Sequence, residues 1–345
     1  MESHRGPNME SSESVAVVIL NWRGTEDTRE CCRSLNGMPY PSARVYVVDN
    51  GSGDGSAEAL AAEFPNFIHV ANRENLGFTR GNNSLIARIL EEDWAAYVLL
   101  LNNDTVVGSG FLESLVSAAR SDPTIGMVGP KIYFFDRPDV IWYAGGRVNF
   151  SDPLPVGHIG EGEMDLGQHD RPGETGFVTG CCLLVRSEVI RQIGDLDECF
   201  GYYYEDVDWC LRAKRAGWKL WYEPKARVWH KVGRSADRAR MATSYYVSRN
   251  VVLTARRNLD GMKEFRFILQ ALAFAWKWPV WSEYKALILE AKCHGALGIG
   301  GARDPATPSV FWQRVVYILR CIARVRDFAK SRLRRLAAAI VGAVK

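Results

Sequence analysis

The chain has 345 residues, of which 47% are apolar and 24% are charged, and this balance is typical of a folded globular protein. Its net charge of +3 averages two unlike parts, because residues 306–345 hold nine basic residues and one acid and so carry +8, which leaves −5 on the preceding residues. The acidic body offers no basic groove, so we expect no nucleic-acid partner.

Neither a secretory leader nor a membrane span is expected. Residues 1–13 are polar and are predicted to be disordered, and no stretch reaches the roughly 18 uninterrupted apolar residues that cross a bilayer. The eight cysteines include no C-x-x-C pair, so we expect reduced thiols without a function. These features favour a cytoplasmic protein.

Four apolar runs alternate with four segments of helical length through the first 130 residues. The runs are continuous and rich in β-branched residues, as in strands that helices cover on both faces. We predict strands at Val15–Leu20, Arg44–Asn50, Phe67–Ala71 and Tyr97–Leu101. The intervening helices are predicted at Thr28–Leu35, Ser56–Glu63, Thr79–Glu91 and Phe111–Arg120. The alternation predicts an α/β fold with a mostly parallel, Rossmann-like sheet flanked by helices.

The alternation stops after Pro130. Residues 136–176 are rich in Gly, Pro and Asp and are predicted to form an irregular excursion. An apolar run returns at Gly176–Val185, and it is followed by an amphipathic helix near Val207–Ala216, a short strand at Trp218–Tyr222 and a mostly helical pattern from about Ala242. We expect an α/β domain over residues 14–240, a helical extension over 241–305 and a distinct tail over 306–345.

Polar residues follow every predicted strand, at the sheet edge where open α/β folds bind ligands. The four loops supply Asn21, Asp49 with Asn50, Asn75 with Gly77, and the triplet Asn102-Asn103-Asp104. Each loop alone fits an ordinary turn, but together they favour a ligand cleft. The glycines near Asp49 lack the spacing of a dinucleotide fingerprint, and its carboxylate would repel a pyrophosphate. Asp49 is therefore expected to accept hydrogen bonds from a base or ribose.

Three groups of residues have both a chemical and a structural interpretation. Asp104 emerges from a buried strand, which suits a hard divalent cation, although capping of the next helix explains it equally well. His230 is followed by the cations Lys231 and Arg234, which suit a diphosphate, but a lone histidine is often just a packed residue.

The segment Tyr202–Arg212 places three carboxylates within four residues at the predicted start of a helix, where the helix dipole favours negative charge. The dipole accounts for the acids but not for the tyrosines beside them. Aromatic walls beside a carboxylate are typical of a sugar site with a base that takes a hydroxyl proton.

Taken in order between Val15 and Asn250, several motifs resemble the family 2 glycosyltransferases, and more narrowly their bacterial and archaeal rhamnosyltransferase-like branch. The matching runs are VAVVILNWRG, VYVVDNGSGDGS, ENLGFTRGNN, LLLNNDTVV, TGCCLLVRSEVI, GYYYEDVDWCLRAKRAGWKLWYEPKARVWH and YYVSRN. The resemblance implies the GT-A fold, a nucleotide-diphosphate sugar donor carrying dTDP, UDP or GDP, a Mg2+ or Mn2+ cofactor, and inversion of the anomeric carbon.

The resemblance also implies roles for single residues. Asp206 matches the catalytic base, and Asp104 with His230 would bind the metal, although the first Asp of the family's D-x-D is a weaker ligand here, Asn102. The nucleotide would contact Asn21, Asp49, Asn50, Asn75, Gly77 and Asn103. Contacts to the donor or acceptor are expected from Asn102, Gly180, Tyr204, Glu205 and Arg234.

These features together predict a metal-dependent inverting enzyme that moves a sugar to a lipid-linked or cell-surface glycan, as in polysaccharide or cell-wall biosynthesis. Rhamnose is favoured only by the resemblance to the branch. One alternative is a sugar-nucleotide nucleotidyltransferase, which would need a basic, Gly-rich phosphate loop that LNWRGTED scarcely offers. Another is a non-catalytic glycan-assembly partner, and the joint presence of Asp104, Asp206 and His230 speaks against it.

The tail carries an apolar stripe at helical spacing, with most of its arginines on the remaining surface. A basic amphipathic helix is typical of a segment that lies on anionic lipid, so we expect 306–345 to hold the enzyme on the inner face of the cell membrane. Packing against the catalytic domain or a second subunit is the alternative. The stripe comprises Phe311, Val315, Ile318, Ile322, Val325, Ala329, Leu333, Leu336 and Ile340.

Overall fold

The computed structural model describes residues 13–38, 40–152, 154–232, 240–277 and 283–301. These residues fall into two compact units. The first extends to Val232 and includes Gly300 and Gly301, and the second comprises residues 240–299. The predicted site residue Arg234 and the predicted tail lie outside the described residues.

The first unit is built on one large sheet with helices packed against it. Its strands are β1 (Val15–Asn21), β2 (Ala43–Asp49), β3 (Ile68–Ala71), β4 (Tyr97–Asn102), β5 (Thr105–Val107), β6 (Ile125–Phe134), β7 (Arg137–Tyr143), β8 (Gly146–Val148), β9 (Val156–His158), β10 (Gly173–Glu174), β11 (Cys182–Arg186) and β12 (Lys219–His230). Its helices are α1 (Thr25–Leu35), α2 (Ser56–Glu63), α3 (Gly77–Glu92), α4 (Phe111–Ser121), α5 (Ser187–Ile193) and α6 (Glu205–Arg215).

The sheet has the order β10-β12-β6-β11-β4-β1-β2-β3, with β5 paired to β12 and β7 paired to β6. The four strands β3, β2, β1 and β4 are parallel, so their carboxyl ends meet at one edge. Beyond them the sheet is mixed, because β11 runs antiparallel between β4 and β6. The predicted α/β fold with a Rossmann-like parallel region is confirmed.

The centre of the sheet is buried on both faces. Residues Val15–Ile19 of β1 and Val98–Leu99 of β4 are 0% exposed, since helices cover both sides of these strands. Burying one Val or Leu side chain contributes about 1.5–3 kcal/mol, so each of these side chains stabilises the two strands. The polar residues that follow them are therefore presented on a rigid support.

The structure corrects the prediction of an irregular excursion over 136–176. β7 pairs antiparallel with β6, β8 with β9, and β10 with β12, so much of the segment is strand. Strands of two or three residues are too short for a period of two to be recognised in the sequence. Similarly, the short strand predicted at Trp218–Tyr222 is the first part of the 12-residue β12.

β6 itself is absent from the predicted elements. Its sequence IGMVGPKIYF contains two glycines, a proline and a lysine, all of which lower strand propensity. Pro130 aligns with Glu223 of β12, where the register shifts between Glu223 and Arg227. A bulge therefore accommodates the missing N–H donor of the proline.

Lys131 anchors the 160–170 loop to β6. Its side chain is 0% exposed, and its Nζ lies 3.0 Å from Asp165 Oδ2 and 2.5 Å from Asp170 Oδ1. Tyr133 Oη donates a further hydrogen bond of 2.6 Å to Asp165. A buried ammonium is tolerated only where carboxylates neutralise it, so this network ties the loop to the sheet.

The second unit is helical. It contains α7 (Arg240–Asn258), α8 (Gly261–Lys277) and α9 (Glu283–Leu297), and α9 packs closely on α7 at Gly295, where a Cβ atom would lie 2.3 Å from Arg249 O. Tyr245, Leu287 and Ala291 form part of the buried contact between the two helices. Among the described helices, none is long and apolar enough to cross a membrane.

Candidate functional site

Asn21, at the end of β1, organises the parallel-strand edge. It is 0% exposed, and its Nδ2 donates to Asp49 Oδ1 at 2.9 Å and to Ser56 Oγ at 3.1 Å. Its Oδ1 accepts from Thr28 Oγ1 at 2.8 Å and from Gly24 N at 3.2 Å. Because an amide has two donor hydrogens and two acceptor positions, Asn21 is fully engaged and positions Asp49.

Asp49 ends β2 beside Asn21 and is 6% exposed. Its Oδ1 also accepts from Ser56 Oγ at 3.1 Å, and its Oδ2 accepts from Ser52 N at 3.0 Å. A carboxylate oxygen accepts more than one hydrogen bond, so Oδ2 retains capacity for an N–H or O–H of a ligand. This geometry suits the role expected from the sequence, recognition of a base or ribose.

Asn50 joins the second and third loops. Its Nδ2 donates to Asn75 Oδ1 at 3.0 Å and to Gly77 O at 3.1 Å, while its Oδ1 accepts from Asn72 Nδ2 at 3.0 Å. The structure thus brings three of the predicted nucleotide residues into one network and adds Asn72, which the sequence did not single out. Gly51 completes the junction, because a Cβ there would lie 2.4 Å from Glu74 C.

Asp104 and His230 are brought together by the sheet. β5 pairs with the end of β12 so that Thr105 lies opposite His230, and the Asp104 Oδ1 to His230 Nε2 distance is 3.2 Å. The helix-capping alternative for Asp104 is wrong, because β5 follows it directly and the next helix begins only at Phe111.

Two atoms of this pair, Asp104 Oδ1 and His230 Nδ1, are buried and make no hydrogen bond within the described part of the chain. Neighbouring ligands of an octahedral ion at about 2.1 Å lie about 3.0 Å apart, which is close to the observed spacing of 3.2 Å. The described residues hold no cluster of three or more metal-ligating side chains. The pair offers one carboxylate oxygen and one imidazole nitrogen to a divalent ion whose remaining ligands would be water and phosphate oxygens.

The other residues of the triplet after β4 have structural contacts. Asn103 Nδ2 donates to Thr28 Oγ1 at 2.9 Å and lies against Gly24, whose Cβ would be 2.7 Å from it. Asn102 is half-buried, and its main-chain N–H donates to Cys181 O at 2.9 Å. Asn103 therefore links the triplet to α1, while Asn102 links it to the segment before β11.

Asp206 lies in the first turn of α6 and is largely buried. Gly180 N donates to its Oδ2 at 2.7 Å, and Val207 N donates to its Oδ1 at 2.8 Å. Burial raises the pKa of Asp206, and these main-chain donors and the nearby His158 oppose the rise. A carboxylate with a raised pKa is better suited to accept a proton than an exposed one.

Consecutive residues connect Asp206 to the strand that precedes Asp104. Gly180 contacts Asp206 through its main-chain N–H, and Cys181 accepts from Asn102 through its carbonyl. The two candidate centres thus lie on either side of one peptide segment. Gly180 was expected to contact a donor or acceptor, and in the structure it positions Asp206.

Glu205 is more deeply buried than its neighbour. It is 7% exposed, and its Oε2 is sealed from solvent without a hydrogen-bond partner among the described residues. Burial, and next the charge of Asp206, raise its pKa well above the ordinary value. Its carboxyl group is therefore not open to a substrate in this structure, in contrast to the expectation from the sequence.

The tyrosines before α6 adopt an unusual backbone. Tyr203 and Tyr204 have φ values of +65° and +71°, a region that bulky residues rarely enter and that costs of order 1–3 kcal/mol. Tyr202 reaches the third loop, where a Cβ on Gly77 would lie 3.7 Å from its Oη. The start of α6 is thereby held against the loop that carries Asn75.

Two aromatic residues of the 136–176 segment lie in the site, and the sequence analysis did not identify them. Trp142 of β7 contacts both His158 and His230, with ring centroids 4.5 Å apart in each case. His158 of β9 lies close enough to Asp206 to influence its pKa. No periodicity or motif marks these residues, and their only signal in the sequence is that they are aromatic.

Comparison with known families and structures places this geometry in context. The family model described as glycosyltransferase like family 2 matches residues 12–246. The chain is 30% identical over 250 residues to an N-acetylglucosaminyl-diphospho-decaprenol L-rhamnosyltransferase of Mycobacterium tuberculosis, covering 66% of this chain and 79% of that protein. A low-salt glycan biosynthesis hexosyltransferase of Haloferax volcanii is 26% identical over 239 residues, covering 68% of this chain and 72% of the relative.

A solved structure supports the same fold. The crystal structure of GalNAc-T7 with UDP, GalNAc and Mn2+ superimposes with a TM-score of 0.51 and 14% sequence identity, covering 75% of this chain and 55% of that one. The predicted GT-A fold is confirmed by this likeness together with the family match.

Proposed function

The chain belongs to the family 2 glycosyltransferases, and on that premise we propose that it transfers a sugar from a nucleotide-diphosphate donor to a hydroxyl of a lipid-linked glycan, with inversion at the anomeric carbon. The observation that carries the proposal is the setting of Asp206, a largely buried carboxylate of raised pKa that two main-chain N–H groups hold in place. Such a group suits a base that removes the acceptor's proton.

The reaction follows from displacement at one carbon. Asp206 takes the proton of the acceptor hydroxyl while the oxygen of that hydroxyl bonds to the anomeric carbon. The bond from the anomeric carbon to the diphosphate oxygen breaks in the same step. Attack opposite the leaving group inverts the carbon, and the base contributes typically about 10²–10⁴-fold in rate. Asp49 and the loop around Asn50 and Asn75 would hold the nucleotide, since they lie at the carboxyl ends of β2 and β3.

Asp104 and His230 would hold the Mg2+ or Mn2+ that we propose as cofactor. Asp104 Oδ1 is buried without a partner among the described residues and lies 3.2 Å from His230 Nε2, so the pair offers one oxygen and one nitrogen ligand to such an ion. The ion supplies positive charge that stabilises a departing diphosphate. Asn102, in place of a first aspartate, leaves Asp104 as the one carboxylate of the triplet.

Relatives suggest which substrates to test first. The Mycobacterium relative is named for L-rhamnose transfer to a diphospho-decaprenol-linked sugar, which favours dTDP-rhamnose as donor and a polyprenyl-diphosphate sugar as acceptor. UDP and GDP sugars complete the donor panel. Release of nucleoside diphosphate supports transfer or hydrolysis. Release of a nucleoside triphosphate and a sugar phosphate when pyrophosphate is added would favour the nucleotidyltransferase alternative, and no turnover would favour a non-catalytic partner.

The decisive variant is Asp206→Asn. Asparagine keeps one oxygen for the N–H of Gly180 but presents an NH2 group to the N–H of Val207, and it cannot take a proton. We expect turnover to fall at least about a hundredfold while nucleotide affinity stays near that of the wild type. Near-normal turnover of this variant would remove Asp206 from the reaction.

We further propose that the enzyme works peripherally on the inner face of the cytoplasmic membrane, with residues 306–345 as anchor. The helix α8 supports this idea, because it exposes Met262, Phe265 and Leu269 at helical spacing beside the exposed Lys263 and Arg266. Flotation with anionic liposomes tests it. Full-length protein should float and a version lacking 306–345 should float less, whereas equal binding by both would exclude the tail as anchor.

A further inference from the structure

The aromatic cluster behind the candidate site has an arrangement that the proposed reaction does not yet use. The indole of Trp142 makes edge contacts with both His158 and His230, at interplanar angles of 82° and 70°. Tyr143 and Phe177 pack against His158 at centroid distances of 5.1 and 5.8 Å. Three rings thus fix the orientation of the imidazole of His158.

The protonation of His158 follows from its one hydrogen bond. Its Nδ1 lies 3.1 Å from the carbonyl oxygen of Trp142, and a carbonyl only accepts, so Nδ1 carries the proton. Burial lowers the pKa of His158, which favours the neutral ring. In a neutral imidazole protonated at Nδ1, Nε2 has a free lone pair and acts as an acceptor.

Nε2 of His158 is available to a ligand. Among the described residues no hydrogen bond involves this atom, and it is not one of the polar atoms sealed from solvent. The ring also lies within electrostatic range of Asp206, of Glu161 and of His230. His158 Nε2 is therefore an oriented acceptor that is not sealed from solvent. Phe177, which packs against this ring, lies three residues before Gly180, whose N–H holds the candidate base Asp206.

We propose that His158 is an acceptor-binding residue, whose Nε2 accepts a hydrogen bond from a sugar hydroxyl next to the one that Asp206 deprotonates. This inference rests on the proposed function of Asp206. The base must touch the attacking hydroxyl, so a group beside the base faces the acceptor sugar. The donor's diphosphate is expected at Asp104 and His230, which contacts the same Trp142.

Two substitutions distinguish the contribution of Nδ1 from that of Nε2. His158→Asn places an amide N–H near the position of Nδ1 and keeps the bond to Trp142 O, but it has nothing at the position of Nε2. His158→Gln places an amide oxygen near the position of Nε2. We expect the Asn variant to raise the KM for acceptor about three- to tenfold, the value of one hydrogen bond, and the Gln variant to recover most of this loss.

Nucleotide affinity is the control, and it should stay within about twofold of the wild type in either variant. A parallel fall in nucleotide affinity would overturn the assignment, because it would indicate a donor or scaffold role. An unchanged acceptor KM in the Asn variant would overturn it as well.

Acceptor analogues that each lack one hydroxyl provide a second test, in which the wild type and the Asn variant are compared. One analogue should show the same rise in KM as the Asn variant, and that rise should disappear when the analogue is used with the variant. If every analogue keeps its penalty in the variant, His158 bonds none of the hydroxyls. Wild-type protein that transfers no sugar overturns the proposed function itself, whereas transfer without any effect of His158 overturns only this inference.

Discussion

Gly51→Ala should separate backbone strain from loop packing at the nucleotide edge. Gly51 has φ +69°, and a Cβ would lie 2.4 Å from Glu74 C and 2.8 Å from Asn75 N. Gly53 has φ +63° with nothing within 4 Å of its Cβ position, so Gly53→Ala is a matched control for the backbone conformation alone. The left-handed conformation costs a non-glycine residue about 1–2 kcal/mol.

Gly51→Ala carries that cost and must also displace main chain, and overpacking of this kind typically adds about 1–3 kcal/mol. The total, about 2–5 kcal/mol, should be read from urea unfolding of both variants. Relief requires the segment at Glu74 and Asn75 to move, which weakens the bond from Asn50 Nδ2 to Asn75 Oδ1.

We therefore expect the nucleotide affinity of Gly51→Ala, measured by calorimetry with Mn2+, to fall at least about tenfold, equivalent to 1.4 kcal/mol. Gly53→Ala should keep its affinity within about threefold. Equal losses of stability and affinity in the two variants would refute the close approach of the loops as the reason for a glycine at position 51.

Three further predictions concern charge. Asp104→Ala should abolish the dependence of nucleotide affinity on Mn2+, and a variant whose affinity still rises with Mn2+ would count against the site. Burial raises the pKa of Glu205, so the native state loses stability as pH rises from the ordinary carboxyl range through this raised pKa. Glu205→Gln should therefore have a higher melting temperature than the wild type at pH 8 and the same melting temperature near pH 4. Lys131→Met should lower the free energy of unfolding by about 3 kcal/mol. This is the lower end of the range for breaking a buried ion pair, because the Asp170 side chain is 56% exposed. Burial alone would raise the pKa of Asp165, but bonds from Tyr133 and Lys131 hold it at about 2, so the stability gap should persist above about pH 4 and close as pH falls through 2.

The predicted parallel strands agree with the observed ones because a short stretch of sequence is enough to identify each strand. Runs such as VAVVIL are apolar on both faces, and no distant residue is needed to interpret them. β6 was missed because its glycines, proline and lysine lower strand propensity, and the lysine is buried only through carboxylates of a later loop. The sequence predicts such a residue as surface, since the acids that neutralise it have no fixed spacing from it.

The same distinction applies to the site. Asp104 and His230 each stood out in the sequence, but their contact depends on the register between β5 and β12, which no local pattern encodes. The role of Asn21 as a fully bonded positioning residue likewise depends on partners in α1 and α2. His158 lies in a segment without periodicity, and only its packing against Trp142 reveals it.

Gly180 and Cys181 are consecutive residues, and the peptide unit between them fixes the spacing between the candidate base and the candidate metal site. One holds the carboxylate that would activate the acceptor, and the other holds the strand end from which Asp104 projects. Adjacent Cα atoms are about 3.8 Å apart, a length that bond geometry fixes and side-chain motion does not change. A single inserted residue here would shift one end against the other by up to about 3.5 Å, enough to misalign attack while each end stays intact. Such a variant would keep every residue of the site but lose the spacing between Asp206 and Asp104.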